Sequence, residues 1–191
     1  MGGGEVLCLP APPGARAVVV GGTAWHIVAA DVDPAWVADQ VAKDPLAAPL
    51  GARFLSALAD RVGVEPGVLD VVLVAPPARA TELELSPAEV DHPRVRRALL
   101  HRTDVGVWTT SDGAGLLTVG RGVAGRWEVA LEVDPDARGR GLGTALAATA
   151  PTLVTDGCGL WAQVAPANTA SLRAFLAAGY RPVGAEVLFG P

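Results

Sequence analysis

A glycine-rich turn between a strand and a helix restricts what this chain can fold into more than any other feature of its sequence. The turn reads Arg-Gly-Arg-Gly-Leu-Gly-Thr at residues 138–144, after a predicted strand that ends at Val133 and a short connection at 134–137. Because glycine lacks a Cβ, several consecutive backbone N–H groups can point into one concavity, and the helix that begins there adds unpaired donors. The turn is therefore predicted to hold a pyrophosphate, to which Arg138 and Arg140 add charge-assisted hydrogen bonds.

Two other interpretations of the turn are a dinucleotide-binding fingerprint and an ordinary structural turn. A Rossmann turn follows its first strand directly, inside a β-α-β unit, and an acidic residue about 20 positions later holds the ribose. Here antiparallel strands precede the turn, a connection separates the strand from the glycines, and Asp156 matches the acidic position only loosely. Both interpretations stay open, but the context favours neither of them.

The predicted elements from residue 103 onward are three antiparallel strands, a helix, a strand, a second helix and a last strand. Short glycine-containing turns separate the first three strands, and Gly179 ends the second helix. This order predicts an α+β fold with a mixed sheet. The predicted strands are 105–110, 116–121, 127–133, 160–164 and 183–189, and the predicted helices are 141–150 and 168–178.

The first hundred residues predict a different arrangement. Residues 1–16 are rich in glycine and proline and lack periodicity, so they are expected to form a flexible leader. Asp33 and Pro34 supply a helix cap followed by proline in the first turn. The predicted elements are a hairpin of 17–20 with 25–30, helices at 33–43, 49–62 and 91–101, a buried strand at 68–74 and an edge strand at 81–85.

Composition excludes several classes of protein. The formal net charge is −5 and the longest basic cluster is Arg94 with Arg96 and Arg97, which argues against a nucleic-acid partner. No apolar run approaches the roughly 20 residues that cross a bilayer, so no membrane partner is expected. The start of the chain lacks the features of a secretory signal, which favours the cytoplasm. Cys8 and Cys158 are too few for a disulfide framework or a thiolate metal site.

Two segments resemble the signatures of the GNAT acetyltransferases. Residues 133–146 are similar to the signature whose loop binds the pyrophosphate of acetyl-CoA, and residues 164–184 are similar to the second signature of the family. The resemblance implies a GNAT-like α+β fold, with a mostly antiparallel sheet that is splayed at the cofactor site and flanked by helices. Residues 103–191 would form the acetyl-CoA-binding core, and residues 17–102 an N-terminal elaboration with the first strand and helices.

The resemblance also implies where acetyl-CoA binds. The sheet would open between the strand ending at Val133 and the strand 160–164, and the pantetheine arm would pair with backbone there like an added strand. Asn168 has a second interpretation, because asparagine is a favoured N-cap for the helix that follows it. The implied cofactor-binding residues are Leu131, Val133, Arg138, Gly139, Arg140, Gly141, Leu142, Gly143, Thr144, Asn168 and Ser171.

The proton-transfer residues are less well defined by the pattern. Glu128 and Glu132 share one face of the strand before the turn and are candidate general bases, with solvated surface carboxylates as the alternative. Histone-type members of the family carry their glutamate at the position of Trp127, and many members carry an acidic tyrosine at the position of Phe175. Both positions therefore depart from the family pattern, so either water supplies the proton to the thiolate or turnover is slow.

The function implied is transfer of an acetyl group from acetyl-CoA to a primary amine, on a small molecule or a peptide, by direct attack in a ternary complex. The alternative is a CoA-binding regulatory module with weak or no catalysis. Edge strands that pair in this superfamily imply a homodimer as one assembly. The tryptophans suit the core, and Trp108 and Trp161 are the two that strands near the splay could instead present to an acceptor. The acidic side chains of Glu82, Glu84, Glu89 and Asp91 suit a cationic amine or a solvated edge.

Overall fold

The computed structural model describes residues 4–78 and 83–190, which form ten strands and five α-helices. They divide into two compact units. One contains the described residues up to Val72 together with those from Val183 onward, and the other lies within Leu73–Pro182. The helices are α1 (Pro34–Val41), α2 (Ala52–Val62), α3 (Pro93–His101), α4 (Leu142–Thr149) and α5 (Thr169–Ala177). The strands are β1 (Glu5–Leu9), β2 (Ala17–Gly22), β3 (Trp25–Ala30), β4 (Pro66–Ala75), β5 (Ser86–Pro87), β6 (Thr103–Thr109), β7 (Gly115–Arg121), β8 (Trp127–Val133), β9 (Leu160–Val164) and β10 (Arg181–Phe189).

The first unit is a sheet with the order β1-β3-β2-β10-β4, covered by α1 and α2. β1 runs parallel to β3, whereas β2 pairs antiparallel with both β3 and β10. Asp33 caps α1 by accepting a hydrogen bond of 2.8 Å from the N–H of Ala35. Apolar side chains of both helices and of the sheet form one core, which includes Val19, Val28, Val37, Phe54, Leu58 and Phe189.

Two predictions for the first hundred residues are wrong, and a third holds only in part: the strand predicted as buried at 68–74 begins with the exposed Val68 and Leu69 and is buried only toward its end. The leader contains β1, in which Val6 and Cys8 pack against the core while the side chains between them face outward. The strand escaped prediction because glycine and proline flank it and because its outward-facing Leu7 and Leu9 are apolar, which removes the alternation that marks a strand. The predicted edge strand is displaced: residues 83–85 are not in a strand, whereas Ser86 and Pro87 pair with β6. Residues 81 and 82 of that prediction lie outside the described residues.

The second unit contains a sheet with the order β9-β8-β7-β6-β5. β6, β7 and β8 form the predicted antiparallel meander, and β9 is parallel to β8. Successive side chains of a strand point to opposite faces, and Glu132 meets Arg94 of α3 whereas Val133 lies beside α4. α3 and α4 therefore cover opposite faces. The predicted fold class, α+β with a mixed and mostly antiparallel sheet flanked by helices, is confirmed.

Candidate functional site

The parallel pairing of β8 with β9 ends soon after it begins. Only Trp127 with Leu160 and Glu128 with Trp161 are paired within the described chain, although β8 continues to Val133. The later residues of β8 remain bonded to β7 on their other side. The edge of β8 at residues 129–133 is therefore open toward β9, as the predicted splay requires.

An aspartate holds the paired end of these strands together. Asp156 accepts hydrogen bonds from Nε1 of Trp127 at 2.8 Å and from Nη2 of Arg121 at 2.6 Å, and its other oxygen accepts from the N–H of Cys158. These bonds, the one from Trp127 first among them, hold the pKa of Asp156 below its usual value. The arginine also lies over the tryptophan ring, 4.2 Å from its centroid. Because these bonds occupy both oxygens of Asp156, the geometry disfavours its use for a ribose in the dinucleotide interpretation.

Glu128 is enclosed by donors. Its side chain is only 6% exposed, and one carboxylate oxygen accepts from Nε of Arg126 at 2.9 Å and from the N–H of Val123 at 3.1 Å. The other oxygen accepts from Nε of Arg102 at 3.1 Å. Each carboxylate oxygen thus already has a donor in a buried position. This arrangement favours a structural role for Glu128 over the predicted role of general base.

Glu132 lies at the other end of β8, beside the glycine-rich turn. Its Oε2 accepts a 2.8 Å hydrogen bond from Nε of Arg94, and about a third of each side chain is exposed (34% and 36%). This bond is the main cause of a lowered pKa of Glu132, and the charge of Arg138 lowers that pKa further. Glu132 is therefore ionised at neutral pH, and the lowered pKa makes it a weaker proton acceptor than an unpaired glutamate. Four residues of strand, roughly 13 Å, separate it from Glu128, so the two glutamates act at different places.

The glycine-rich turn has the backbone that its sequence predicts. Gly139 and Gly141 adopt left-handed conformations, with φ of 75° and 86°, and Gly141 is the N-cap of α4. The first helical bond runs from the N–H of Ala145 to the carbonyl of Gly141. In the part of the chain that the structure describes, the N–H groups of residues 139–144 have no hydrogen-bond acceptor. Six consecutive backbone donors are thus available to an anion.

The two arginines of the turn differ in what they contact. Nε of Arg138 donates to the carbonyl oxygen of Val133 at 3.0 Å, so this side chain folds back on the end of β8. The carbonyl of Val133 is therefore already bonded, and the predicted pairing of the pantetheine arm falls on the remaining edge groups. Arg140 is exposed, whereas Leu142, Gly143 and Thr144 are half-buried in the first turn of α4.

Asn168 has the structural role that its sequence context predicted. Its Oδ1 accepts a hydrogen bond of 3.2 Å from the N–H of Ser171 and caps α5, which packs against α4. The Ser171 side chain is half-buried. A contact of either residue with a cofactor stays a prediction, and the cap leaves the side-chain NH2 group of Asn168 available for one.

The position of the family's acidic tyrosine is apolar and buried. Phe175 is 4% exposed and packs edge-to-face against Tyr180, with ring centroids 4.9 Å apart. The Tyr180 hydroxyl is buried without a hydrogen-bond partner among the described residues, and burial raises its pKa. Neither ring is therefore placed as an exposed proton donor.

The remaining predicted candidates do not converge on the turn. Trp161 lies under Arg126, 5.2 Å from ring centroid to guanidinium, and Trp108 is half-buried over the backbone of β6. Glu84 and Glu89 are exposed, Asp91 pairs with Arg96, and Glu82 lies outside the described residues.

Sequence reasoning missed Arg94 and Arg102 as partners of the two glutamates. The only signal was their position on or just after α3, a helix that the pattern predicted correctly at 91–101. Which side chains of that helix meet β8 depends on tertiary packing, because 38 residues separate Arg94 from Glu132 and 26 separate Arg102 from Glu128.

Within the described ranges, no three His, Cys, Asp or Glu side chains gather into a possible metal site. The helices described there are all too short or too polar to cross a bilayer. Cys8 and Cys158 are both free thiols.

The model of the Acetyltransferase (GNAT) family matches residues 86–180. This range contains α3, the meander, the glycine-rich turn and α5, and it ends at Tyr180. No curated protein is significantly similar to the chain.

Solved structures of low sequence identity are similar to parts of this chain. An acetyltransferase of the GNAT family from Colwellia psychrerythraea is 10% identical, with a TM-score of 0.48 over 87% of this chain and 76% of that one. GCN5-related N-acetyltransferases from Kribbella flavida and Sphaerobacter thermophilus are 19% and 16% identical, with TM-scores of 0.47 and 0.44 over 72% and 73% of this chain. The match spans only 63% and 56% of those two proteins.

Proposed function

Because residues 86–180 belong to the GNAT acetyltransferase family, we propose that the chain transfers an acetyl group from acetyl-CoA to a primary amine. The observation that carries this proposal is the run of unpaired N–H groups at residues 139–144 beside the open edge of β8. The donors suit a pyrophosphate, and the open edge suits an extended amide-containing arm. Acetyl-CoA combines both chemical features in one molecule.

The turn would bind the cofactor through its backbone, with the arginines adding charge. Arg140 is exposed and can reach a phosphate oxygen. In Arg138, Nε donates to the carbonyl oxygen of Val133, which leaves the two Nη groups available to the pyrophosphate. Leu131 and Val133 would align the pantetheine arm along β8, which places the thioester near the end of that strand. The helix dipole of α4 favours the same negative charge.

The residues of β8 would then assist direct attack. The amine nitrogen forms a bond to the thioester carbon, the carbon–sulfur bond breaks, and the amine loses one proton while the thiolate of CoA gains one. Glu132 is the partly exposed glutamate of β8, whereas Glu128 is buried, so we assign Glu132 acceptance of the amine proton, directly or through water. Since Phe175 cannot donate a proton, water protonates the thiolate. Such a reaction needs no covalent intermediate on the protein.

The alternative function is a CoA-binding regulatory module. Two observations favour it: the donors of Arg102 and Arg126 enclose Glu128, and Phe175 replaces the acidic tyrosine. Both remove a group that assists catalysis without altering the turn that binds the cofactor. An amine acceptor, small molecule or peptide, belongs to the catalytic proposal, whereas assembly as a homodimer is proposed in either case.

A thiol-release assay across a panel of primary amines tests the proposal. Release of CoA that depends on the amine, with the acetylated product detected by mass spectrometry, supports an N-acetyltransferase. Binding of acetyl-CoA measured by calorimetry, without release on any amine, rejects catalysis and supports the module. Tight binding of NAD together with no binding of acetyl-CoA rejects both functions in favour of the dinucleotide interpretation.

A further inference from the structure

We infer that the amine acceptor carries a carboxylate, and that Arg94 and Glu132 together bind the two charged groups of an amino acid. This inference rests on the proposed function and specifies its substrate class. It comes from a partly exposed ion pair in the second unit, in which a single hydrogen bond occupies only some of the hydrogen-bonding atoms of the two side chains.

The ion pair is joined by a single hydrogen bond. Nε of Arg94 donates to Oε2 of Glu132 at 2.8 Å, in a side-on arrangement that uses one of the guanidinium nitrogens. Within the described part of the chain, the two Nη groups of Arg94 and the Oε1 atom of Glu132 have no other partner. With 36% and 34% of the two side chains exposed, an incoming molecule can reach these atoms.

The pair lies where an acceptor would arrive. Glu132 stands between Leu131 and Val133, the residues assigned to the pantetheine arm, but its side chain points to the face of α3. On the neighbouring strand, Leu116 is its directly paired residue and is 8% exposed. An amine that approaches the thioester from the α3 side therefore meets the ion pair of Arg94 and Glu132 beside the buried side chain of Leu116.

The chemistry of the pair matches a zwitterion. The free edge of a guanidinium forms bidentate hydrogen bonds with a carboxylate, and a carboxylate oxygen accepts from an ammonium group. An α-amino acid carries these two groups on neighbouring atoms. A diamine would place its second positive charge against Arg94, and a neutral substituent would leave the guanidinium unmatched.

The electrostatic surroundings of Glu132 favour an anionic group as well. Besides Arg94, the guanidinium charge of Arg138 acts on Glu132 in the same direction. His92 is fixed, because its Nδ1 accepts a hydrogen bond of 3.1 Å from the N–H of Arg94 at the start of α3. A carboxylate that enters beside Glu132 therefore meets basic groups from the helix and from the turn.

The test compares matched acceptors in the thiol-release assay. Each of several α-amino acids is assayed beside its carboxamide and its decarboxylated amine, with acetyl-CoA saturating. We expect kcat/KM for the amino acid to exceed that for both analogues by at least about tenfold, because a charge-assisted hydrogen bond contributes more than a neutral one. In Arg94→Gln, the ratio of kcat/KM for the amino acid to kcat/KM for each analogue should fall close to one, mainly through a rise in KM for the amino acid.

Arg97→Gln is the matched control, since Arg97 lies on the same helix, is exposed and forms no part of the pair. It should keep the ratio of the unchanged protein. Acetyl-CoA binding by Arg94→Gln, measured by calorimetry, shows that the variant is folded.

The outcomes separate the two proposals. Equal or faster turnover of the carboxamide or the decarboxylated amine overturns the inference and leaves the N-acetyltransferase proposal intact. An unchanged ratio in folded Arg94→Gln also overturns it. Release of CoA on no acceptor, with acetyl-CoA bound, rejects the proposed function itself.

Discussion

At the scale of single residues, the arginine that a glutamate meets decides what that glutamate can do. Glu128 and Glu132 occupy the same face of β8, yet one is enclosed by three donors and the other shares one hydrogen bond with a half-exposed guanidinium. When a neutral group replaces a buried carboxylate, its cationic partners lose their counter-charge, and water does not reach them to compensate. The two residues should therefore differ in what their substitution costs.

We expect Glu128→Gln to lower the free energy of unfolding by about 3–5 kcal/mol, because it leaves the buried guanidinium of Arg102 without a counter-charge. Urea denaturation followed by circular dichroism measures this loss. Glu132→Gln is the control on the same strand and should cost at most about 1 kcal/mol, since its pair is a third exposed. Equal losses in the two variants would contradict the structural role of Glu128.

The buried ring of His26 should make the stability of the protein depend on pH. Its ring is 4% exposed and its Nδ1 has no partner in the described part of the chain, and burial lowers its pKa. The unfolded chain, with a pKa of about 6.5, therefore binds a proton at a pH where the folded protein does not. Stability from His26 is present above that pKa and is lost as the pH falls toward the folded-state value. His26→Leu should lose less stability than the unchanged protein between pH 7.5 and pH 5, a range set by this pKa of about 6.5.

Urea midpoints at the two pH values for both proteins measure the difference. Other groups titrate equally in the two proteins, so only the difference between them reports on His26. If both proteins lose the same stability on acidification, the ring is not held neutral by its buried position.

At the scale of elements, a close contact between β10 and β2 depends on one glycine. A Cβ on Gly184 would overlap the carbonyl oxygen of Gly21, which belongs to the neighbouring strand and cannot move without breaking the pairing. Gly184→Ala should therefore lower the free energy of unfolding by about 2 kcal/mol, as overpacking does. Thermal denaturation measures the change.

Gly143→Ala provides the contrast for this prediction. Its Cβ would meet Val133 and Ala174 at ordinary distances of 3.7 and 3.8 Å, inside the first turn of a helix. Alanine is favoured over glycine in a helix by roughly 0.5–1 kcal/mol, so this variant should be as stable as the unchanged protein or more so. A loss in Gly143→Ala as large as that in Gly184→Ala would show that the strand contact is not the cause.

Elements with strong local signals could be predicted from the sequence, and the others could not. The meander, the turn and α5 follow from alternation, glycine position and capping, which neighbouring residues determine. β1 is held by pairing with β3, from Glu5 with Trp25 to Leu9 with Ala29, and no local pattern reveals that partner. The same limit applies to the candidate site: the turn was predicted, but the donors around Glu128 come from residues as far away as Arg102.

At the scale of the whole molecule, the last strand belongs with the first residues. β10 pairs with β2 from Ala185 with Gly21 to Phe189 with Ala17, so the described residues from Val183 onward lie in the same compact unit as α1 and α2. Local sequence cannot show a pairing between residues so far apart. The glycine-rich turn and its neighbours lie entirely in the second unit.

Ligand binding should stabilise the whole protein if the turn holds acetyl-CoA. At a concentration about a hundredfold above Kd, a ligand that binds only the folded state adds about 2.7 kcal/mol, which raises Tm by several degrees for a chain of this length. Differential scanning fluorimetry should show this rise with acetyl-CoA and none with NAD. Arg140→Gln should reduce the rise, whereas Arg173→Gln, also exposed but on α5, should not.

Tyr180 gives the molecule an optical reporter of its own unfolding. It is the only tyrosine of the 191 residues, it is 2% exposed, and burial raises the pKa of its hydroxyl above the usual value of about 10. At a pH slightly above that usual pKa, the folded protein should show no ultraviolet absorbance from tyrosinate. Unfolding with urea at the same pH exposes the hydroxyl, so the tyrosinate absorbance should appear. Since no second tyrosine contributes, the amplitude gives the fraction of unfolded molecules without any label.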